Sequence, residues 1–133
     1  MNIVIDTNVF VSGLFFGGTP YRILKAWGAG QCALFVTNEI LVEYERVIRE
    51  LSCKKPQFHP DAALIHIRKN ARLIKPVRLP DQVCTDADDD KFIACALSAE
   101  AIVITGDKAL LRTAGYKGSV VLSPAAFELK YLR

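Results

Sequence analysis

The stretch Ile102-Val103-Ile104-Thr105-Gly106-Asp107 decides the fold. Three apolar residues in unbroken succession, leading into Thr105, read as a strand buried on both faces, the pattern of a parallel sheet covered by helices. Gly106 makes a turn, and Asp107 stands just before a short helical run from Lys108 to Ala114. The N-terminus repeats the arrangement. Asn2 to Ile5 is an apolar run ending at Asp6, and the spacing of Val9, Phe10 and Leu14 beyond it is helical.

Between these two units the alternation continues. Thr19-Pro20 reads as a helix start, Thr as N-cap and Pro first in the helix, leading through Ile23, Leu24 and Trp27 to a stop at Gly28 and Gly30. Cys32 to Thr37 is a second strand, and Asn38 caps a helix to about Leu51 whose apolar stripe is Ile40, Leu41, Tyr44, Val47, Ile48 and Leu51. After the Lys54-Lys55-Pro56 break, Pro60 to Arg72 forms a basic helix with Leu64, Ile65 and Ile67 inward, followed by a weak strand near Leu73 to Val77. Asp88 to Ala99 is a helix, Val120 to Leu122 a last strand, and Pro124 opens the C-terminal helix. The expectation is an α/β sandwich. In such sheets ligands bind beyond the carboxyl ends of the strands, where Asp6 and Asp107 both fall.

The 133 residues, 51% hydrophobic and 23% charged, suffice for one domain over residues 1–133 with a core that needs no disulfide. No apolar stretch approaches the roughly 18 to 20 residues of a membrane span, and Asp6 interrupts the N-terminal run, so a cytoplasmic protein without a membrane partner is expected. Cys32, Cys53, Cys84 and Cys95 form no C-x-x-C pair and read as reduced, mostly buried thiols. The net charge of +3 is unevenly spread. Arg46 to Arg78 holds nine basic residues against Glu50 and Asp61, whereas Asp81 to Asp90 holds five aspartates and no base. A polyanion-binding rim beside a cation-binding centre produces this pattern, as do two solvated faces of opposite sign.

Single residues decide little. Asp6 and Asp107 are each read equally well as helix caps or as ligands. Asp86, Asp88, Asp89 and Asp90 crowd one helix start, where the macrodipole accounts for one or two; four in five residues repel one another, and a cation would relieve them. Glu43 and, one turn earlier, Glu39 flank the apolar stripe of their helix and by periodicity alone are solvated glutamates. Oxygen ligands of this kind suit Mg²⁺ or Mn²⁺ and not zinc, and neither His59 nor His66 has a metal-ligand partner in the sequence.

In combination, Ile5-Asp6-Thr7-Asn8, Glu39-Ile-Leu-Val-Glu43, Asp88-Asp-Asp90-Lys-Phe-Ile-Ala94 and Ile104-Thr-Gly-Asp107 resemble, in order and spacing, the motifs of PIN domains. More narrowly, the chain is similar to stand-alone bacterial or archaeal PIN proteins that serve as VapC-like toxins of type II toxin–antitoxin pairs. The resemblance implies a three-layer α/β/α sandwich with a five-stranded parallel sheet of order 3-2-1-4-5. It places the family's acids on Asp6, Glu43, Asp90 and Asp107, with Asn8 and Thr105 supporting them and Asp88 and Asp89 competing with Asp90 for the third place. It further implies a Mg²⁺- or Mn²⁺-dependent endoribonuclease acting on single-stranded or structured RNA. The RNA would be held by Arg46, Arg49, Lys54, Lys55, Arg68, Lys69 and Arg72, and an antitoxin protein and a homodimer are the further partners to be considered. The alternative is a PIN fold that binds RNA or protein without cutting.

Overall fold

The structure, a computed structural model, describes residues 1–132. Its first unit is β1 (Asn2–Ile5), α1 (Thr7–Phe15) and α2 (Gly18–Gly28), followed by β2 (Ala33–Val36) and α3 (Asn38–Ser52). Then come α4 (Pro60–Asn70), the two-residue β3 (Arg72–Leu73), a 3₁₀ turn at Ala87–Asp89 and α5 (Asp90–Ala99). The chain closes with β4 (Ile102–Ile104), α6 (Lys108–Leu111), a 3₁₀ turn at Tyr116–Gly118, β5 (Val120–Leu122) and α7 (Pro124–Tyr131). The sheet order is β3-β2-β1-β4-β5 and every pairing is parallel. This is the topology expected from the resemblance. Among the described residues no helix is long and apolar enough to cross a membrane.

β1 lies at the centre, with Ile5 in register with Ile104 of β4. Ile3, Val4, Ile5, Val103 and Ile104 are fully buried, as unbroken apolar runs in a covered parallel sheet should be. α5 is buried over six consecutive residues, Lys91 to Ala96, so it packs as an interior helix and not as an amphipathic one. Tyr44 of α3 is also fully buried; its ring stacks on Phe10 at 4.5 Å between centroids, and its hydroxyl donates to the Ile5 carbonyl. That contact fixes α3 against the end of β1, which brings the neighbouring Glu43 towards Asp6.

Several boundaries differ from the sequence reading. Thr37, not Asn38, caps α3: its backbone is extended and its Oγ1 accepts from the Ile40 N–H at 3.3 Å. α2 starts at Gly18 with no side-chain cap, because Gly17 (φ 85°) and Gly18 (φ 72°) take left-handed conformations that set the turn from α1, so Thr19 lies already inside the helix. Ile65 is 66% exposed and points away from the apolar side of α4, where Leu64 and Ile67 are buried. Cys53 is exposed, unlike the other three cysteines. The helix expected from Asp88 begins at Asp90 after the 3₁₀ turn, and the one expected to reach Ala114 ends at Leu111.

α1 and α2 pack closely because Gly13 leaves room; a Cβ there would meet Leu24 Cδ1 at 2.7 Å and the Pro20 carbonyl oxygen at 2.8 Å. Gly13→Ala should therefore destabilise the fold by about 1 to 3 kcal/mol despite the better helix propensity of alanine. Urea unfolding of both proteins measures this, and equal midpoints would show that the helix pair separates at no cost.

Candidate active site

Asp6 follows β1 directly and is only 8% exposed. Its backbone N–H donates to the Ile104 carbonyl at 3.0 Å, which extends the β1–β4 pairing by one residue. The side chain is held at both oxygens: Oδ2 accepts from Thr105 Oγ1 at 2.5 Å and Oδ1 from the Asn8 N–H at 3.2 Å. Burial, opposed by these two hydrogen bonds and reinforced by the negative charges of Asp107 and Glu43, raises the Asp6 carboxyl above the usual aspartate range. Thr105, fully buried, also accepts at Oγ1 from the Asp107 N–H at 3.0 Å. One hydroxyl thus orients both acids. Asp107 is exposed and caps α6, accepting from the Ala109 N–H at 2.9 Å. A cavity of about 450 Å³ opens between them, lined by Asp6, Asn8, Ser12, Pro20, Gly106 and Asp107.

The aspartates before α5 divide into separate tasks. Asp90 turns to the preceding loop, Oδ2 accepting from the Val83 N–H at 3.1 Å and Oδ1 from the Cys84 N–H at 2.7 Å. Asp86 caps the 3₁₀ turn through the Asp88 N–H at 3.0 Å. Asp89 has no hydrogen-bond clamp of that kind: burial and then the charges of Asp6, Asp86 and Asp107 push its carboxyl up to about 6. The sequence motif points to Asp90 as the third acid; the structure engages Asp90 with the loop amides and leaves Asp89 under the charges of Asp6 and Asp107. In sequence the three differ by single steps, and only the turn geometry separates a loop clamp from a cluster member.

Glu43 stands at the edge of this group, and its charge reaches Asp6. Its Oε2 accepts from Thr7 Oγ1, and its Oε1 pairs with Lys91 Nζ at 2.8 Å. Lys91 is 6% exposed and also reaches Asp88, at Oδ2 (2.8 Å) and at the carbonyl (2.7 Å). Burial lowers the tendency of its ammonium to hold a proton, but the bonds to Asp88 and Glu43 outweigh it. Hydrogen bonding to Lys91 in turn holds the Asp88 carboxyl low. In the sequence Lys91 is only one letter of the Asp88–Ala94 motif. The signal was available, since a lysine leading into Phe-Ile-Ala-Cys-Ala enters a helix without a polar face. Among the described residues no three acidic, histidine or cysteine side chains converge closely enough to hold an ion as they stand.

The basic span does not form one rim. Arg46 pairs with Glu50, Arg49 with Glu45 and Asp61, and Arg68 with Glu45, all exposed contacts that neutralise one another. Arg46 is nonetheless close enough to lower the Asp88 carboxyl. Lys55 lies over the Phe15 and Phe16 rings at the far end of α1. Lys54 and Lys69 are exposed with no ion pair among the described residues. Arg72 opens β3 and lines a separate cavity of about 410 Å³ with Asn2, Ala33, His66 and Asn70, at the amino ends of the strands. Because the sheet is parallel, that is the opposite end from Asp6 and Asp107, so Arg72 does not border the acids as expected.

Residues 2–109 match the PIN domain. The chain belongs to the PIN-domain family, a family of nucleases. It is 31% identical over 123 residues to Uncharacterized protein MJ1680 of Methanocaldococcus jannaschii, covering 84% of this chain and 74% of that protein. In fold it is similar to VapBC2 from Rickettsia felis, solved bound to a DNA fragment from their promoter (TM-score 0.64, 15% identity, 92% of this chain and 98% of that one). It is likewise similar to PAE2754 from Pyrobaculum aerophilum (TM-score 0.63, 13% identity, 98% and 88%). FitAcB from Neisseria gonorrhoeae is a third neighbour (TM-score 0.52, 14% identity, 92% and 98%). The PIN match extends from β1 to the start of α6 and so includes every acid of the cluster.

The different tasks of Asp89 and Asp90 give opposite expectations for the metal-free protein. Asp89 has a higher pKa folded, about 6, than its ordinary 3.8, so the folded state binds the proton more tightly and loses stability as pH rises through that window. Asp89→Asn should raise the melting temperature at pH 7, with the gain fading towards pH 4. Asp90→Asn should lower it by weakening two hydrogen bonds to charge, each worth about 1.5 to 3 kcal/mol. Thermal melts at the two pH values test both signs, and a rise for Asp90→Asn would return it to the cluster.

Proposed function

We propose that this PIN domain is a metal-dependent endoribonuclease whose ion is held by Asp6, Asp89 and Asp107. The observation that supports the reading is that Asp6 and Asp107 stand at the carboxyl ends of adjacent strands, linked through Thr105, and that the charges of both reach Asp89. Burial and like charges raise both Asp6 and Asp89, and the nearest buried cation, Lys91, is engaged by Glu43 and Asp88. The donors are carboxylate oxygens from three separate elements, which fits Mg²⁺ or Mn²⁺. Since no three of them converge as they stand, binding requires side-chain rotation, for which exposed Asp107 and partly exposed Asp89 have room. Such an ion, when bound, would attract the scissile phosphate and supply a water acidic enough to attack it near neutral pH. Thr105 and the Asn8 amide keep Asp6 oriented, and Thr105 through its bond to the Asp107 amide keeps the two acids in fixed relation.

RNA is the substrate class we assign, with Arg46, whose charge reaches Asp88, as the base nearest the acids and with Lys54 and Lys55 meeting the backbone further along, at the far end of α1. The likeness in fold to VapBC2 and FitAcB supports the further reading that the chain is the toxin of an antitoxin pair. A binding module that cuts nothing is the second reading, favoured by the same absence of a preformed ion cage.

Asp6→Asn should cut metal-dependent cleavage of labelled single-stranded RNA by about a hundredfold or more while leaving the fold intact, since it removes a charged ligand and keeps its shape. Cleavage surviving both this substitution and EDTA would refute the metal-nuclease reading. Binding offers a separate test. Arg46→Glu and Lys55→Glu should each weaken RNA binding and flatten its dependence on log salt by about one contact, whereas Arg72→Glu should do neither. Equal effects from all three would mean that binding reflects overall charge.

A further inference from the structure

Phe16, at 68%, is the most exposed large apolar side chain among the described residues. A single exposed apolar residue needs no explanation, but the surroundings of this one set it apart. Its N–H donates to the Ser12 carbonyl at 2.9 Å, and the preceding ring, Phe15, is anchored against Phe58 at 4.3 Å between centroids. Lys55 reaches across from the turn after α3; its ammonium donates to the Phe15 carbonyl at 3.4 Å and stands 4.5 Å from the Phe16 centroid. Lys54 is exposed beside it, and neither lysine has a carboxylate partner among the described residues. A Cβ built on Gly17 would meet nothing within 4 Å, so the surface next to the ring is open.

The ring also lies in line with the acids. Asn8, Ser12 and Phe16 succeed one another at four-residue steps and form one row along α1. Asn8 and Ser12 line the cavity that Asp6 and Asp107 share, so Phe16 continues its edge, about 12 Å from Asn8 along the helix axis.

We propose that Phe16 is a stacking platform for an unpaired base of single-stranded RNA, with Lys54 and Lys55 taking the neighbouring phosphates. The inference rests on the reading of RNA as the substrate and on nothing in the chemistry of cleavage. An open ring flanked by unpaired cations matches a polymer that carries flat faces and negative charges in alternation. A purely apolar partner would bring nothing to answer the two lysines. A duplex hides the faces of its bases, so the platform selects an unpaired strand, and a ring without hydrogen-bonding groups accepts any base. Phe16 is thus a positioning residue, which holds the strand where phosphates further along it meet the edge at Asp6 and Asp107.

The test is binding by fluorescence anisotropy in EDTA, so that neither a metal ion nor cleavage enters. The probes are a short end-labelled oligoadenylate and an abasic strand of the same length. The wild type should prefer the oligoadenylate by about tenfold, the size of one base–aromatic stack. Phe16→Ala should bind both strands alike, with melting temperature and salt dependence unchanged, because stacking releases no counterions. Phe16→Trp should restore the preference and be quenched by the RNA beyond the signal of Trp27, the single and buried tryptophan of the wild type. Phe16→Leu, apolar but without a flat face, should not restore it. A preference that survives in Phe16→Ala, or none in the wild type, would overturn the proposal and leave the RNA reading in place. Failure of the wild type to bind either strand would overturn both. A wild type that self-associates and turns monomeric in Phe16→Ala, with its preference for bases unchanged, would also overturn it and assign the ring to a second copy of the chain.

Discussion

The parallel pairing of β1 with β4 is the contact on which the rest of the molecule depends. Neither strand is long, and their partnership places Ile5 opposite Ile104 at the centre of the sheet. One residue further, Asp6 still donates its N–H to the Ile104 carbonyl before the chain turns into α1. The register therefore delivers Asp6 beside Thr105, and the Thr105 hydroxyl links it to the amide of Asp107. A shift of one residue in a parallel pair would turn every side chain to the other face and separate the acids. The apolar runs on both strands, buried on both faces, are what make such a slip costly.

The site is a balance of charges held by neutral groups. Asp6, Asp89 and Asp107 are oriented by hydroxyls, amides and the turn before α5, none of which cancels their charge. Glu43 and Asp88 are held by an ammonium, which does. Asp90 instead accepts from the loop amides of Val83 and Cys84. Six acids near one strand end thereby differ in company: some have only neutral partners, some pair with an internal cation, and one clamps backbone amides. Tyr44 matters here without touching a ligand. Through its bond to the Ile5 carbonyl and its stacking on Phe10, it anchors the helix that carries Glu43.

The basic surface follows a different logic. α3 and α4 exchange charges across their shared face through Arg49, Arg68, Glu45 and Asp61, all largely exposed. Exposed pairs of this kind add little stability, typically up to about 1 kcal/mol each. They also leave these arginines with less free charge than the sequence suggests. The long run of bases along the chain is thus divided among separate elements, and Arg72 lines a cavity at the amino ends of the strands.

How much was legible in the sequence depends on the range of the interaction concerned. Strand identity and helix periodicity are local, so the apolar runs at Asn2–Ile5 and Ile102–Ile104 and the stripe of α3 could be read directly. The strand order was accessible only through the resemblance to a family, carried by four motifs in register. Helix caps were less secure: Thr37 and Asn38 are adjacent and chemically alike, and backbone geometry alone chooses Thr37. Which of three consecutive aspartates meets the loop amides was beyond the sequence, since a 3₁₀ turn changes direction residue by residue. The pairing of Lys91 with Glu43 was equally out of reach, because 48 positions separate them and only the packing of α5 against α3 closes that distance. By itself, the sequence determined that acids would stand at strand ends. Tertiary structure decided which of them face one another uncompensated, because charge compensation depends on distance in space.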